Sequence, residues 1–176
     1  MVAWFEKRNA REKKRTVRRE YSNPNKCVYH RILVAIDDNH WSYEAVTQAV
    51  RLAHHASAKL IILMVPSSPL LTYTPDGLGM ANGLETLIRE GEALLAWAGA
   101  SAEYAGVPYT TIFKWGCAVP TILEVANQEH CDLIVMGFPV RTAWEYFIKP
   151  CHATYVATHA RQPVLVVKVQ PPPGDR

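Results

Sequence analysis

Five segments of strand length, most of them apolar runs, recur along the chain, and longer amphipathic stretches separate them. The runs at 31–36, 59–65 and 132–137 are almost wholly apolar, so they lack the alternation of a strand with one solvated face. Such a run is typical of a strand buried on both faces. Strands are therefore predicted at residues 31–36, 59–65, 108–114, 132–137 and 163–168.

The stretches between these runs place apolar residues at helical spacing. In the first of them, Ala45, Val46, Ala49, Val50 and Ala53 fall on one face of a helix. Helices are predicted at residues 41–57, 83–104, 119–128 and 150–159. Residues 66–82 are rich in Pro, Gly, Ser and Asn and predict a long loop, and residues 138–149 predict an irregular connection.

This alternation of strands and helices predicts an α/β fold: a doubly wound, five-stranded parallel sheet with helices on both faces. Ligands of such sheets bind beyond the carboxyl ends of the strands, where the strand order reverses. We therefore expect any binding site in the loops that follow Ile36, Val65 and Gly137.

Charge divides the chain into unlike parts. Residues 1–26 hold nine Lys or Arg and three Glu, a net charge of +6, whereas residues 27–176 hold ten Lys or Arg and thirteen Asp or Glu, a net charge of −3. We divide the chain into a basic N-terminal arm (residues 1–26), the α/β domain (27–169) and a proline-rich tail (170–176). A basic arm on an acidic domain indicates an anionic partner.

The arm combines arginines with an aromatic pair near its start. Its candidate partner-binding residues are Trp4, Phe5, Arg11, Lys14, Arg15 and Arg18. Arg binds phosphates and carboxylates through two parallel hydrogen bonds, and the aromatic pair suits a lipid boundary or a groove on a larger protein. We expect a larger protein or membrane-protein complex as partner. RNA fits less well because aromatic residues are not interleaved with the basic ones. The alternative is a solvated, charged tail.

The sequence shows no catalytic constellation. It contains no HExxH motif, no nucleophile elbow and no CxxC pair. A zinc site built from Cys27, His30, His130 and Cys131 is conceivable, but its spacing matches no metal template, so no metal is predicted. Reduced cysteines, the absence of a secretory signal and the lack of membrane-spanning apolar runs predict a cytoplasmic protein, which the arm could hold at the cytoplasmic face of a membrane.

Several segments resemble the universal stress protein family. The segment ILVAIDDNHWSYEAVTQAV is similar to that family's first strand, acidic turn and first helix, GCAVPTILEVANQEHCDLIVMG to its third helix and fourth strand, and ARQPVLVVK to its final strand. The resemblance covers roughly residues 28–169. It implies the strand order 3-2-1-4-5, a homodimer paired through the last strand and, in the nucleotide-binding members, a site for ATP.

The resemblance also assigns candidate nucleotide-binding residues. Asp37 matches the Asp that follows the first strand, Val65 the backbone contact at the second, and Gly137 and Arg141 the start of the glycine-rich stretch after the fourth. Asp37 has an alternative role as a carboxylate that stabilises the helix N-terminus.

The glycine-rich stretch departs from the family's pattern. Its next glycine falls on Val140 or Ala143, and its final Gly-Ser falls on Pro150 and Cys151. A β-branched residue resists positive φ, and proline removes an N–H donor that would face the phosphates. We therefore expect no cofactor, although ATP or AMP remains the alternative.

Three functions compete. The first is a non-enzymatic accessory or adaptor subunit that docks through its arm, and the second is an adenine-nucleotide-binding stress protein. The third is an enzyme of the wider nucleotide-binding α/β superfamily, such as an ATP pyrophosphatase, but DDNHWS does not match the SGGxDS-like loop of those enzymes. The aromatic cluster Trp144, Tyr146 and Phe147 is a further candidate interaction surface or a plug of the nucleotide cleft.

Overall fold

The computed structural model of the chain describes residues 29–37, 41–66, 78–139 and 152–169. The strands in these ranges are β1 (Arg31–Ile36), β2 (Lys59–Met64), β3 (Tyr109–Phe113), β4 (Leu133–Pro139) and β5 (Val164–Val169). The helices are α1 (Trp41–Ala56), α2 (Leu78–Tyr104), α3 (Ala118–Gln128) and α4 (His152–His159). The predicted arm and tail lie outside the described residues.

All five strands are parallel and form one sheet in the order β3-β2-β1-β4-β5. Val34 of β1 lies level with Ile62 of β2 on one side and Val135 of β4 on the other. The chain runs outward from β1 to β3 and then returns to place β4 on the opposite side of β1. The strand order therefore reverses between β1 and β4, and the predicted fold class is confirmed.

Both faces of the sheet are covered by helices. Side chains of one strand alternate between the two faces: Ile32 and Val34 join the core beneath α1 and α2, whereas Leu33 joins the core beneath α3 and α4. All three are fully buried. Burying a side chain of this size contributes about 1.5–3 kcal/mol, so the doubly buried central strands supply much of the driving force for folding.

Asp132 fixes the place where the chain enters the domain. Its two carboxylate oxygens accept hydrogen bonds from the backbone N–H groups of His30 at 2.7 Å and Arg31 at 3.1 Å. The Arg31 guanidinium donates to the carbonyl oxygen of Glu129 at 3.0 Å. These bonds join the start of β1 to the turn before β4, so the first described residues lie at the amino-terminal end of the central strands.

Among the described residues, two predicted boundaries were wrong by more than one residue. Helix α2 begins at Leu78 rather than at residue 83, because Gly and Asn weaken a helix by only about 1 kcal/mol each and extending an existing helix requires no new nucleus. Strand β4 continues beyond residue 137 to Pro139 because β5 pairs with it there. Beyond Met136, β4 lacks its pairing with β1, and a proline is tolerated where a strand has a neighbour on one side only.

Candidate functional site

The candidate site lies at the carboxyl ends of β1, β2 and β4. Ile36 pairs with Met64, so Asp37, which follows β1, is level with Val65, which follows β2. Ala35 pairs with Met136, so Gly137 lies one residue further along β4 at the same edge. The fold thus brings Asp37, Val65 and Gly137 together on three neighbouring strands, where the strand order reverses.

Asp37 is bound to the first turn of α1 through Ser42. The Ser42 hydroxyl donates to Oδ1 of Asp37 at 2.7 Å and accepts a hydrogen bond from the Asp37 backbone N–H at 3.0 Å. Ser42 is only 2% exposed, so this pair of bonds is shielded from water and holds the carboxylate at the helix N-terminus. A negative charge is stabilised there by the helix dipole. Asp37 therefore has a structural role that requires no ligand.

Gly137 allows β4 and the start of α1 to approach each other closely. A Cβ atom at this position would lie 2.6 Å from the carbonyl oxygen of Trp41 and 2.9 Å from its carbonyl carbon. Backbone atoms cannot turn aside as a side chain can, so any larger residue would push α1 away from the sheet. The glycine is explained by packing, independently of any phosphate.

Val65 presents no side chain to a ligand. It is 4% exposed and packs in the core beneath α3 and α4. Its predicted contribution to a site was a backbone contact, and its burial leaves only the backbone for that purpose.

The other predicted site residues lie outside the described part of the chain. These are Arg141 of the glycine-rich stretch and, in the arm, Trp4, Phe5, Arg11, Lys14, Arg15 and Arg18. The departures at Val140, Ala143, Pro150 and Cys151 and the aromatic cluster at residues 144–147 also lie there.

Cys131 is a buried thiol. Burial of its side chain, reinforced by the negative charges of Glu129 and Asp132, raises the pKa of its thiol to about 12. The thiolate is the form that attacks an electrophile, and little of it forms at neutral pH in this surrounding. Within the ranges that the structure describes, no three His, Cys, Asp or Glu side chains are grouped as metal ligands.

The sequence analysis missed a groove between α2 and β3. Gly91 and Gly99 lie eight residues apart on α2, and each faces an aromatic ring of β3: Phe113 and Tyr109, respectively. The two glycines were the only sign of this groove in the sequence, but nothing in the sequence shows that they face β3, which follows several residues after α2.

Among the described residues, no helix has both the length and the apolar character needed to cross a membrane.

Comparison with known proteins agrees with this architecture. The model of the universal stress protein family matches residues 28–168. A universal stress protein of Methanocaldococcus jannaschii is 32% identical over 142 residues, which is 80% of this chain and 83% of that protein. The chain belongs to the universal stress protein family.

Solved structures share the fold. UspA from Lactobacillus plantarum is 25% identical with a TM-score of 0.61, and the match covers 79% of this chain and 97% of that one. A family member from Burkholderia pseudomallei is 24% identical with a TM-score of 0.63, over 82% and 98% of the two chains. A universal stress protein in complex with cAMP is 24% identical with a TM-score of 0.62, over 80% and 97%.

Replacing Gly137 with alanine is expected to lower the free energy of unfolding by roughly 1–3 kcal/mol, because the new methyl group would overlap backbone atoms of Trp41. Chemical denaturation measures this loss. Gly99→Ala is the matched control: its Cβ would meet only the ring of Tyr109, at 2.8 Å, and alanine favours the helix by about 1 kcal/mol. Equal losses in the two variants would contradict the packing role of Gly137.

Proposed function

We propose that this universal stress protein is a non-enzymatic accessory or adaptor protein that docks through its basic arm onto a larger, anionic or membrane-associated assembly. The observation that carries the proposal is the division of charge, +6 on residues 1–26 against −3 on the rest of the chain. The family resemblance, which begins near residue 28, does not account for the arm.

The position of the arm supports a docking role. The described chain begins at Tyr29, and Asp132 holds the next two residues at the centre of the sheet's amino-terminal edge. The candidate nucleotide site lies at the opposite, carboxyl-terminal edge. An arm that starts from a fixed point can therefore engage a partner while leaving the cleft unobstructed.

The contacts at the cleft favour a role without catalysis. Asp37 is bonded to Ser42, Gly137 is packed against Trp41, and Val65 is buried in the core. Each residue thus serves the fold at a place where an enzyme of this fold class would carry its chemistry. We place the protein in the cytoplasm and, when docked to a membrane complex, at the cytoplasmic face of that membrane.

Deleting residues 1–21 is expected to abolish co-purification with the partner and to leave the thermal unfolding of the domain nearly unchanged, because the cores beneath α1–α2 and α3–α4 remain complete. Replacing the candidate partner-binding cations Arg11, Lys14, Arg15 and Arg18 by Gln should weaken capture in the same way. Affinity capture with quantitative mass spectrometry, at low and high salt, measures both.

The matched control replaces four exposed cations of the domain by Gln: Arg51, Arg89, Arg161 and Lys168. Sedimentation with vesicles of anionic or neutral phospholipid distinguishes a lipid surface from a protein partner, because each basic residue near an anionic membrane contributes about 1 kcal/mol. If the truncated chain co-purifies fully, the docking surface lies on the domain, with residues 144–147 as the first candidate.

A second candidate function is binding of an adenine nucleotide. It is favoured by the meeting of Asp37, Val65 and Gly137 where the strand order reverses. Two structures with the same fold are described as complexes, one with cAMP at 24% identity and one with dAMP at 17% identity. At these identities the likeness extends to the fold alone, so the ligand is an inference for this chain.

We expect ATP to bind weakly or not at all, because Val140 or Ala143 and Pro150 replace glycines of the phosphate loop. Titration calorimetry with ATP and magnesium tests this. Restoring the motif with Val140→Gly, Pro150→Gly and Cys151→Ser should raise the affinity, whereas the same substitutions combined with Asp37→Ala should not. Micromolar affinity of the unaltered protein would favour the second candidate over the first.

We also expect the protein to form a homodimer in which β5 of one copy pairs with β5 of the other. Among the described strands, β5 has β4 on one side only. Val164 and Val166 pack against the core beneath α3 and α4, whereas Leu165 is 37% exposed. An exposed apolar edge is normally covered in native proteins.

Leu165→Lys is expected to shift the mass measured by light scattering toward the monomer, because a charged residue on an edge strand opposes pairing. Leu165→Val keeps the apolar edge and should leave the mass unchanged. A monomeric unaltered protein, or the same mass in Leu165→Lys, would contradict pairing through β5.

A further inference from the structure

A groove of about 420 Å³ separates α2 from the edge strand β3. Its floor is formed by Leu95, Gly99 and the rings of Tyr109 and Phe113. A Cβ atom at Gly99 would lie 2.8 Å from Cε2 of Tyr109, so the missing side chain lets the ring lie against the helix. The groove lies within the size range of ligand-binding pockets.

The groove is open because β3 is an edge strand. Among the described strands, β3 has β2 alone beside it. Tyr109 is 37% exposed, and Trp115, whose ring centroid lies 5.3 Å from that of Phe113, is 47% exposed. Exposed aromatic rings around a concave surface favour an occupant with apolar side chains.

The side of α2 nearest the groove forms an acidic wall, in which Glu92 lines the groove itself and Glu85 and Glu103 lie on the same side of the helix. Helix α2 holds four glutamates and one arginine, Arg89. Glu85, Glu92 and Glu103 are spaced by seven and eleven residues, which places them within about 20° of one another on the helix surface. All three are exposed, and the salt bridges of the described residues, Arg31–Glu129 and Lys114–Glu124, involve none of them.

We propose that the protein's own basic arm, residues 1–26, docks in this groove, with Trp4 and Phe5 against the aromatic floor and the basic residues along Glu85, Glu92 and Glu103. The net charge of +6 on the arm complements the acidic wall, and its aromatic pair complements the exposed rings. The arm thereby has a position on its own domain from which an external partner must displace it.

The arm starts close to the groove. Ile32 of β1 is level with Leu60 of β2, which is level with Tyr109 of β3, so two strand spacings of about 4.8 Å separate β1 from the groove. The described chain begins at Tyr29, just before β1. Even a fully helical arm of 26 residues would extend about 39 Å, so Trp4 is within reach.

Because the arm and the groove belong to the same chain, a shallow groove is sufficient for docking. A tethered segment meets its site at an effective concentration on the order of millimolar, so each contact can be weak. Weak docking is also readily reversed, which suits an arm that must exchange its own domain for a partner. The inference does not depend on the identity of that partner.

Zero-length carbodiimide cross-linking of the full chain tests the docking, because it joins lysine amines to glutamate carboxylates that are in contact. Mass spectrometry should find Lys7, Lys13 or Lys14 joined to Glu92 or Glu103 in a product of monomer mass, with the yield falling at high salt. Links to Glu90, which points away from the groove, should be rare. Equal linkage to Glu90 would overturn the proposal, and so would links from the arm to Glu92 or Glu103 that occur only in the product of twice the monomer mass.

Limited proteolysis gives an independent measurement. Glu92→Gln with Glu103→Gln should speed tryptic cleavage within the arm roughly five-fold, the scale expected for losing two exposed ion pairs. Glu44→Gln with Glu90→Gln is the charge-matched control and should leave the rate unchanged.

A substitution that fills the groove tests how much its shape, as distinct from its charge, contributes to docking of the arm. Ala96→Leu should speed cleavage of the arm and lower the cross-link yield, because it occupies the groove without altering charge. Ala93→Leu, on the exposed side of the same helix, should do neither. Unchanged cleavage and cross-linking in both the charge variant and Ala96→Leu would overturn the proposal, whether or not the arm also captures an external partner.

Discussion

Burial of the sheet on both faces is the constraint on which the rest of the structure depends. The side chains of β1 alternate between two separate cores, and Ile32, Leu33 and Val34 are fully excluded from water. A strand buried in this way needs helices above and below it, and parallel strands need long crossovers to connect them. The helices satisfy both needs at once. The layered arrangement also makes the carboxyl ends of β1, β2 and β4 meet at one edge.

At that edge, the residues that match the candidate nucleotide-binding positions serve the protein's own structure. Ser42 binds Asp37 across the turn from β1 to α1, and Gly137 admits the carbonyl group of Trp41. Both contacts hold the N-terminus of α1 against the sheet. A cleft built in this way can persist without a ligand, which is why loss of the phosphate-loop glycines is compatible with an intact fold.

The proposed function depends on the distribution of charge along the chain. The arm carries an excess of cations, and the domain presents acidic side chains on α2 next to exposed aromatic rings of β3. If the arm docks weakly on its own domain and more strongly on a partner, as proposed, both states would use the same basic residues and would exclude each other. Competition of this kind would keep the arm from binding anions indiscriminately, because exposed ion pairs are individually weak and exchange readily.

The sequence by itself determined the fold class, the strand order implied by the family and the gathering of Asp37, Val65 and Gly137 at one edge, because uninterrupted apolar runs mark strands buried on both faces. Features that depend on contacts between distant parts of the chain were decided only by the tertiary structure. Strand β4 extends to Pro139 because β5 lies beside it, and Gly137 is required because α1 approaches it. The ring of Tyr109 lies against α2 because Gly99 has no side chain, and this relation between helix and strand appears only when the two pack together.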